Sequence, residues 1–260
     1  DTFTNTFGML TVYFAVVILT CPKPSLQDEA GQRLKLKVSD WLPYIAFGVG
    51  LGMATASKIN AAALALLLPA VELVRYFSLE HEQREDYRSI SWRMVLLAAV
   101  VSVFIFRLGQ PYAFQGPGLL GVRFNQEWIA GLRTLQQQST GNVDFPPALQ
   151  WTRRSISFPY YNLVVWGLGI PLGVTALVSL IGMGWAGIKG KQFKLLPPGG
   201  WTVFYLLWPT TAWVQAMRYL LLIYPLLAII AAWGIFQLWR VKGELKFWRF
   251  KISPKALHIT

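Results

Sequence analysis

The Lys and Arg residues of this chain are sorted by the apolar runs that separate them. With each run read as a membrane crossing, four segments fall on one side: 22–40, 75–93, 186–200 and 240–260. They hold 17 of the 24 Lys and Arg. The other side keeps Lys58, Arg107, Arg123, Arg133, Arg153, Arg154 and Arg218. Basic loops stay cytoplasmic on insertion, so this sorting is a topology. It predicts an all-α, polytopic helical membrane protein whose 260 residues form a single transmembrane domain.

Composition agrees with that class. Only 14% of the residues are charged, against about 25% in an average soluble domain. Twelve Trp, ten Tyr and sixteen Phe suit a protein anchored at two lipid–water interfaces. The net charge of +12 lies mostly in segments expected to be cytoplasmic. Anionic headgroups and the insertion rule account for it there, so no nucleic-acid partner is expected. The single cysteine, Cys21, excludes an intramolecular disulfide. Both histidines, His81 and His258, fall in cytoplasmic segments, which leaves none in the membrane to ligate a haem. The chain opens on Asp1 without Met, basic n-region or cleavage pattern, and reads as a fragment or a processed product rather than a natural start.

Seven crossings are expected, at about 3–21, 41–57, 61–77, 94–108, 161–188, 201–216 and 218–239. The second and third are near the lower limit of about 17 residues for spanning the hydrocarbon core. The segment from Leu79 to Arg93 reads as a solvated connection. Pro171 is expected to kink the long fifth crossing. A long external loop, 109–160, carries an amphipathic helix over 125–138. It has Asn125 as N-cap and places Trp128, Ile129, Leu132 and Leu135 on one face. Such a helix lies naturally on the outer membrane surface.

Few motifs carry chemistry. The run Gly48-Val49-Gly50-Leu51-Gly52 lies inside a crossing and lacks the Gly-Lys-Ser/Thr ending of a phosphate loop. Its pairs Gly48/Gly52 and Gly50/Ala54 predict close helix packing instead. Glu72 is expected to pair with Arg75 or Tyr76. Lys58, Arg107 and Arg218 each stand at the outer end of a crossing. One alone is a snorkelling side chain; three at one membrane level favour an anionic ligand, phosphate above all. Arg153 and Arg154, beside Trp151 and the Phe158-Pro159-Tyr160-Tyr161 cluster, read as a headgroup belt or as a sugar or lipid-headgroup platform. Asp144 is either an ordinary turn residue or part of that platform. The outer-face acids are Asp1, Glu127 and Asp144, so a general base has to come from these or from upstream sequence.

The Asp1-Thr2-Phe3 start of a crossing, the ATASKINAAALALLLPA pair and the Gln110-Pro111-Tyr112 exit form an ordered set. It continues with TGNVDFPPALQW, FPYYNLVVWGLGIPLG and MRYLLLIYPLLAIIAAW. In that order these segments resemble membrane glycosyltransferases of the C-type superfamily, of the protein-mannosyltransferase-like kind that uses polyprenyl-phosphate sugars. The resemblance implies a helical bundle in the cell membrane with its active site on the external or periplasmic face. There an acceptor attacks a lipid-linked sugar phosphate. It implies that Lys58, Arg107 and Arg218 contact the lipid phosphate and that Asp1 lies near the reacting groups. It requires no cofactor and leaves a divalent metal open. The family's catalytic acid normally sits in an outer loop before the region covered here, so the resemblance makes this chain the C-terminal portion of a larger protein. The rival reading is therefore a non-catalytic, glycosyltransferase-like subunit within a larger membrane assembly.

Overall fold

The computed structural model describes residues 1–21, 38–116, 118, 121, 123–152, 154–208, 212–240, 245–247 and 250–252. Most of the 22–40 linker, most of the basic tail after Arg240, and Arg153 lie outside the described residues.

The chain is an all-α membrane protein. Among the described residues, five helical segments are long and apolar enough to cross a bilayer: Thr2–Thr20, Ile59–Phe77, His81–Gly109, Ile170–Ile188 and Met217–Trp239. The helices in chain order begin with α1 (Thr2–Thr20), α2 (Val38–Ser57), α3 (Leu67–Phe77) and α4 (Arg84–Gly109). Between α4 and the next long helix come α5 (Gln126–Thr140), α6 (Pro146–Leu149) and α7 (Phe158–Asn162). The chain then forms α8 (Ile170–Ile188), α9 (Leu196–Leu207) and α10 (Tyr224–Arg240). Two long 3-10 stretches lead into membrane helices: Ile59–Leu66 into α3, and Met217–Ile223 into α10. A 3-10 helix rises about 2.0 Å per residue, so the Ile59–Phe77 segment gains reach that its residue count alone understates.

Helix α2 is the centre of the N-terminal half, and its small residues show why. A Cβ on Gly48 would lie 2.6 Å from the Ala98 carbonyl oxygen, and one on Gly52 would lie 2.6 Å from that of Ser102. Both face α4. Gly50 faces α1, where a Cβ would meet Thr11 Oγ1 at 2.8 Å, and Ala54 is fully buried. The glycine run is thus a two-sided packing surface, as its spacing predicts. Val12, Ala15 and Ile18 of α1, Phe47 of α2, Leu67 and Val71 of α3, and Leu227 and Ile230 of α10 close the core.

Four expectations need correction. Helix α4 starts at Arg84, so the expected solvated connection is largely helical. Glu85 and Asp86 occupy its first turn, where they complement the helix dipole, and Tyr87 is buried. The expected long fifth crossing is interrupted. Its π-helical turn Leu163–Gly167 ends before Gly169, which adopts φ 79°, and Pro171 lies in the first turn of α8. Proline costs nothing there, because its missing N–H has no intrahelical partner in any residue at that position. Helix α9 covers 12 residues rather than the expected 201–216, about 18 Å at 1.5 Å per residue. Trp208 still has helical dihedrals, φ −60° and ψ −54°, and its amide closes the last turn on the Phe204 carbonyl at 2.9 Å; Pro209, next in the sequence, has no N–H with which to continue the helix.

The fourth correction is Glu72, which pairs with neither Arg75 nor Tyr76. Its carboxylate accepts hydrogen bonds from Tyr44 Oη at 2.7 Å, Tyr87 Oη at 2.7 Å and Ser91 Oγ at 2.5 Å. Arg75 donates from Nε to the same Tyr87 hydroxyl at 2.8 Å and from Nη1 to the Ile18 carbonyl. Tyr76 lies under Arg84 instead. This polar centre joins all four N-terminal helices and serves a carbonyl near the C-terminal end of α1 that lacks an intrahelical donor.

The stretch after α4 begins with a small antiparallel pair, β1 (Phe114–Gln115) with β2 (Arg123–Phe124). Asn125 caps α5 as expected, its side chain accepting from the Glu127 amide at 3.0 Å. Trp128 stacks on Phe124 with ring centroids 6.1 Å apart, while Leu135 remains exposed.

Candidate functional site

Where the N-terminal end of α1 meets the starts of both 3-10 stretches, the backbone leaves a small open cleft. Asp1, Thr4 and Asn5 line it from α1, Lys58 and Ala61 from the turn into α3. Arg218 and Tyr219 come from the 3-10 stretch before α10, and Tyr205 from α9. Two of the three cations expected to meet, Lys58 and Arg218, therefore stand in one cleft, although 160 positions separate them in the sequence. Long 3-10 stretches are uncommon and mark sites of function or strain. Here each begins at the cleft.

Lys58 caps its stretch with extended backbone, φ −158° and ψ 117°. This aims its side chain across the turn. Its Nζ donates to Asp1 Oδ1 at 2.9 Å and lies 5.7 Å from the centre of the Tyr219 ring. The Arg218 guanidinium lies 5.9 Å from the centre of that ring. Tyr219 thus offers its π system to two cations that repel each other. Burial first, and the like charge of Arg218 second, hold the Lys58 ammonium below lysine's ordinary 10.5, with Tyr219 acting in the opposite sense. Two cations and one carboxylate leave the lining side chains with a net positive charge. That charge favours an anion over a cation in the cleft.

Arg107 is elsewhere. Its Nε donates to the Gly121 carbonyl at 3.1 Å, Nη1 to Pro111 at 3.2 Å and Nη2 to Gly118 at 2.7 Å. The guanidinium also lies 5.0 Å from the Phe114 ring centre. It clamps the loop between β1 and β2, and the expected convergence of three cations is a convergence of two. The reason is local: turn carbonyls within 14 residues claim the guanidinium before anything distant can.

Arg154 donates from Nη2 to the Gln150 carbonyl at 3.0 Å and lies over Phe158 at 5.1 Å. Asp144 is exposed just before α6. Neither lines the cleft. This region still reaches the cleft indirectly, because Ala148 and Trp151 pack with Val214, Ala216 and Tyr219. The amide of Gln215 donates to the Trp151 carbonyl at 3.2 Å. The stretch around α6 therefore backs the ring that both cations share.

Tyr219, Tyr205, Thr4 and Asn5 were not singled out in the sequence. Tyr219 adjoins Arg218, and Thr4 and Asn5 lie one turn after Asp1, so helical spacing was the available signal. Among the described residues, no group of three His, Cys, Asp or Glu side chains is placed to hold a metal ion. Among the described residues, Asp1 is the one carboxylate that lines the cleft. Comparison with family models, curated proteins and solved structures finds no match.

Proposed function

We propose that this chain is a membrane glycosyltransferase domain that takes a sugar from a polyprenyl-phosphate carrier and passes it to an acceptor at the outer membrane face. The observation that carries the reading is the pairing of Lys58 and Arg218 over Tyr219 in a cleft that also holds Asp1. Two cations held side by side at the edge of a bilayer fit a lipid phosphate. Lys acts as a mobile point charge and Arg as a planar fork. Asp1 fits the role of general base for the acceptor. The wider topology in this reading has seven crossings, with the 22–40 linker and basic tail cytoplasmic and 109–160 external. The order of sequence segments resembling C-type glycosyltransferases supports the same choice.

Transfer of label from a short-chain prenyl-phosphoryl hexose, and binding of that donor, test the proposal. A charge-assisted hydrogen bond contributes about 1.5–3 kcal/mol, so Arg218→Ala should weaken donor binding roughly tenfold to a hundredfold. Donor binding unchanged by that substitution would remove the phosphate site and with it this function.

A further inference from the structure

The cleft contains its own anion. Asp1 sits on Lys58 at 2.9 Å with 36% of its side chain exposed, against 29% for Lys58. The pair is open enough to be rearranged by an arriving ligand. The other charged lining residue, Arg218, is shared with no carboxylate among the described residues. Tyr205 and Tyr219 also line the cleft.

Resting on the glycosyltransferase reading, we propose that Asp1 is a built-in counter-ion that sets the charge selectivity of the cleft and exchanges Lys58 with the leaving phosphate. In the resting state the lining carries one net positive charge, which matches the singly charged phosphodiester of a lipid-phosphoryl sugar. A phosphomonoester is close to doubly charged at neutral pH, its second proton being lost near pH 6, roughly as for a phosphoserine. Against that ligand the Asp1 carboxylate counts as repulsion. Because Asp1 repels a dianion about twice as strongly as a monoanion, it lowers the cleft's preference for spent carrier relative to donor.

The reaction changes both sides of the balance together. The acceptor oxygen bonds to the anomeric carbon as the bond from that carbon to the phosphate oxygen breaks. The electron pair stays on the phosphate, which becomes a dianion, and the acceptor proton passes to the Asp1 carboxylate. Asp1 loses its charge at the step in which the phosphate gains one. Lys58 then has one strong partner left, and the lining carries two net positive charges against a dianion. When Asp1 returns its proton to solvent it reclaims Lys58 and disfavours the product, which promotes release.

The test compares farnesyl phosphate with farnesyl-phosphoryl hexose as ligands of the wild-type chain, Asp1→Asn and Asp1→Glu. Removing one negative charge about 6 Å away strengthens binding by about threefold per unit of ligand charge even at the dielectric of water. Asp1→Asn should therefore tighten the monoester about tenfold and the diester about threefold, shifting selectivity toward the monoester. Asp1→Glu keeps the charge and should keep the wild-type ratio. Equal tightening of both ligands, or weakening of both, would overturn the counter-ion role while leaving the phosphate site standing. If the wild-type chain binds neither ligand and Arg218→Ala changes nothing, the glycosyltransferase reading falls first and this inference with it.

Discussion

Glu72 and Arg75 lie one turn apart on α3, and the hydroxyl of Tyr87 joins them. It receives from Arg75 Nε at 2.8 Å and donates to Glu72 at 2.7 Å. An acid and a base at helical spacing would ordinarily meet directly, but here a residue of α4 stands between them. The buried charges are thereby shared across helices, which turns a local pair into a fastening of the bundle. Tyr87→Phe removes both bonds and leaves Arg75 Nε without an acceptor. Hydrogen bonds to charged groups are worth about 1.5–3 kcal/mol each, so the loss should be about 3 kcal/mol or more. Tyr44→Phe removes one bond and should cost about half as much. Unfolding in detergent measures both; equal losses would contradict the bridging role.

Small residues on α2 and α8 should respond in opposite ways. An alanine Cβ at Gly48 or Gly52 meets backbone oxygen of α4 at 2.6 Å, and backbone cannot rotate aside. Overpacking of this kind typically costs 1–3 kcal/mol. Gly182 on α8 has nothing within 4 Å of an added Cβ. Gly182→Ala should be neutral or slightly stabilising, since glycine is a poor helix former. Thermal stability of the three single variants separates a packed face from an open one.

These two cases show what the sequence makes legible. Helical spacing announced the glycine faces, the Asn125 cap and α5, because each depends on neighbours within a turn or two. Charge sorting announced a membrane bundle, because insertion acts on loops one at a time. Tyr87 as a bridge was not legible, since its importance depends on how α3 meets α4. Lys58 and Arg218 were visible as outer cations, but their shared ring emerges only when α1, α3 and α10 are packed. Arg107 looked equivalent to them in one dimension and differs because nearby turn carbonyls capture it.

Arg107 gives the next prediction. Its three donors hold the carbonyls of Pro111, Gly118 and Gly121, a geometry that an ammonium on a flexible stem cannot reproduce. Arg107→Lys should increase proteolysis within 111–124 by several-fold and change donor affinity at the cleft less than twofold. A tenfold loss of donor affinity with an intact loop would instead return Arg107 to the phosphate site.

Orientation can be read from the natural chain. Cys21 is exposed and stands at the end of α1 opposite Asp1, about 28 Å away along a helix of this length. A membrane-impermeant maleimide should leave Cys21 unlabelled in intact cells and label it after permeabilisation. With Cys21 replaced by Ser, a cysteine introduced at Thr140 should label in intact cells. The reverse pattern would place the cleft on the cytoplasmic side and defeat the charge-sorted topology.

The last prediction concerns pH. In the proposed site Lys58 would hold phosphate only while protonated, and burial together with Arg218 brings its pKa below 10.5. Farnesyl phosphate is already a dianion above pH 8, so its own charge is constant there. Its affinity should fall as pH climbs through the lowered Lys58 value, before lysine's ordinary 10.5 is reached. Stability should move the other way. Below the lowered value Lys58 is charged in both folded and unfolded chains, and the folded chain carries the burial penalty. Between that value and 10.5 the folded chain holds fewer protons, so stability rises with pH and levels off above 10.5. Lys58→Arg stays charged throughout and should flatten both profiles while keeping the cleft cationic. Parallel titrations of ligand affinity and melting temperature check the two signs together. A wild-type affinity that stays level to pH 10.5 would show that the Lys58 charge plays no part in holding phosphate.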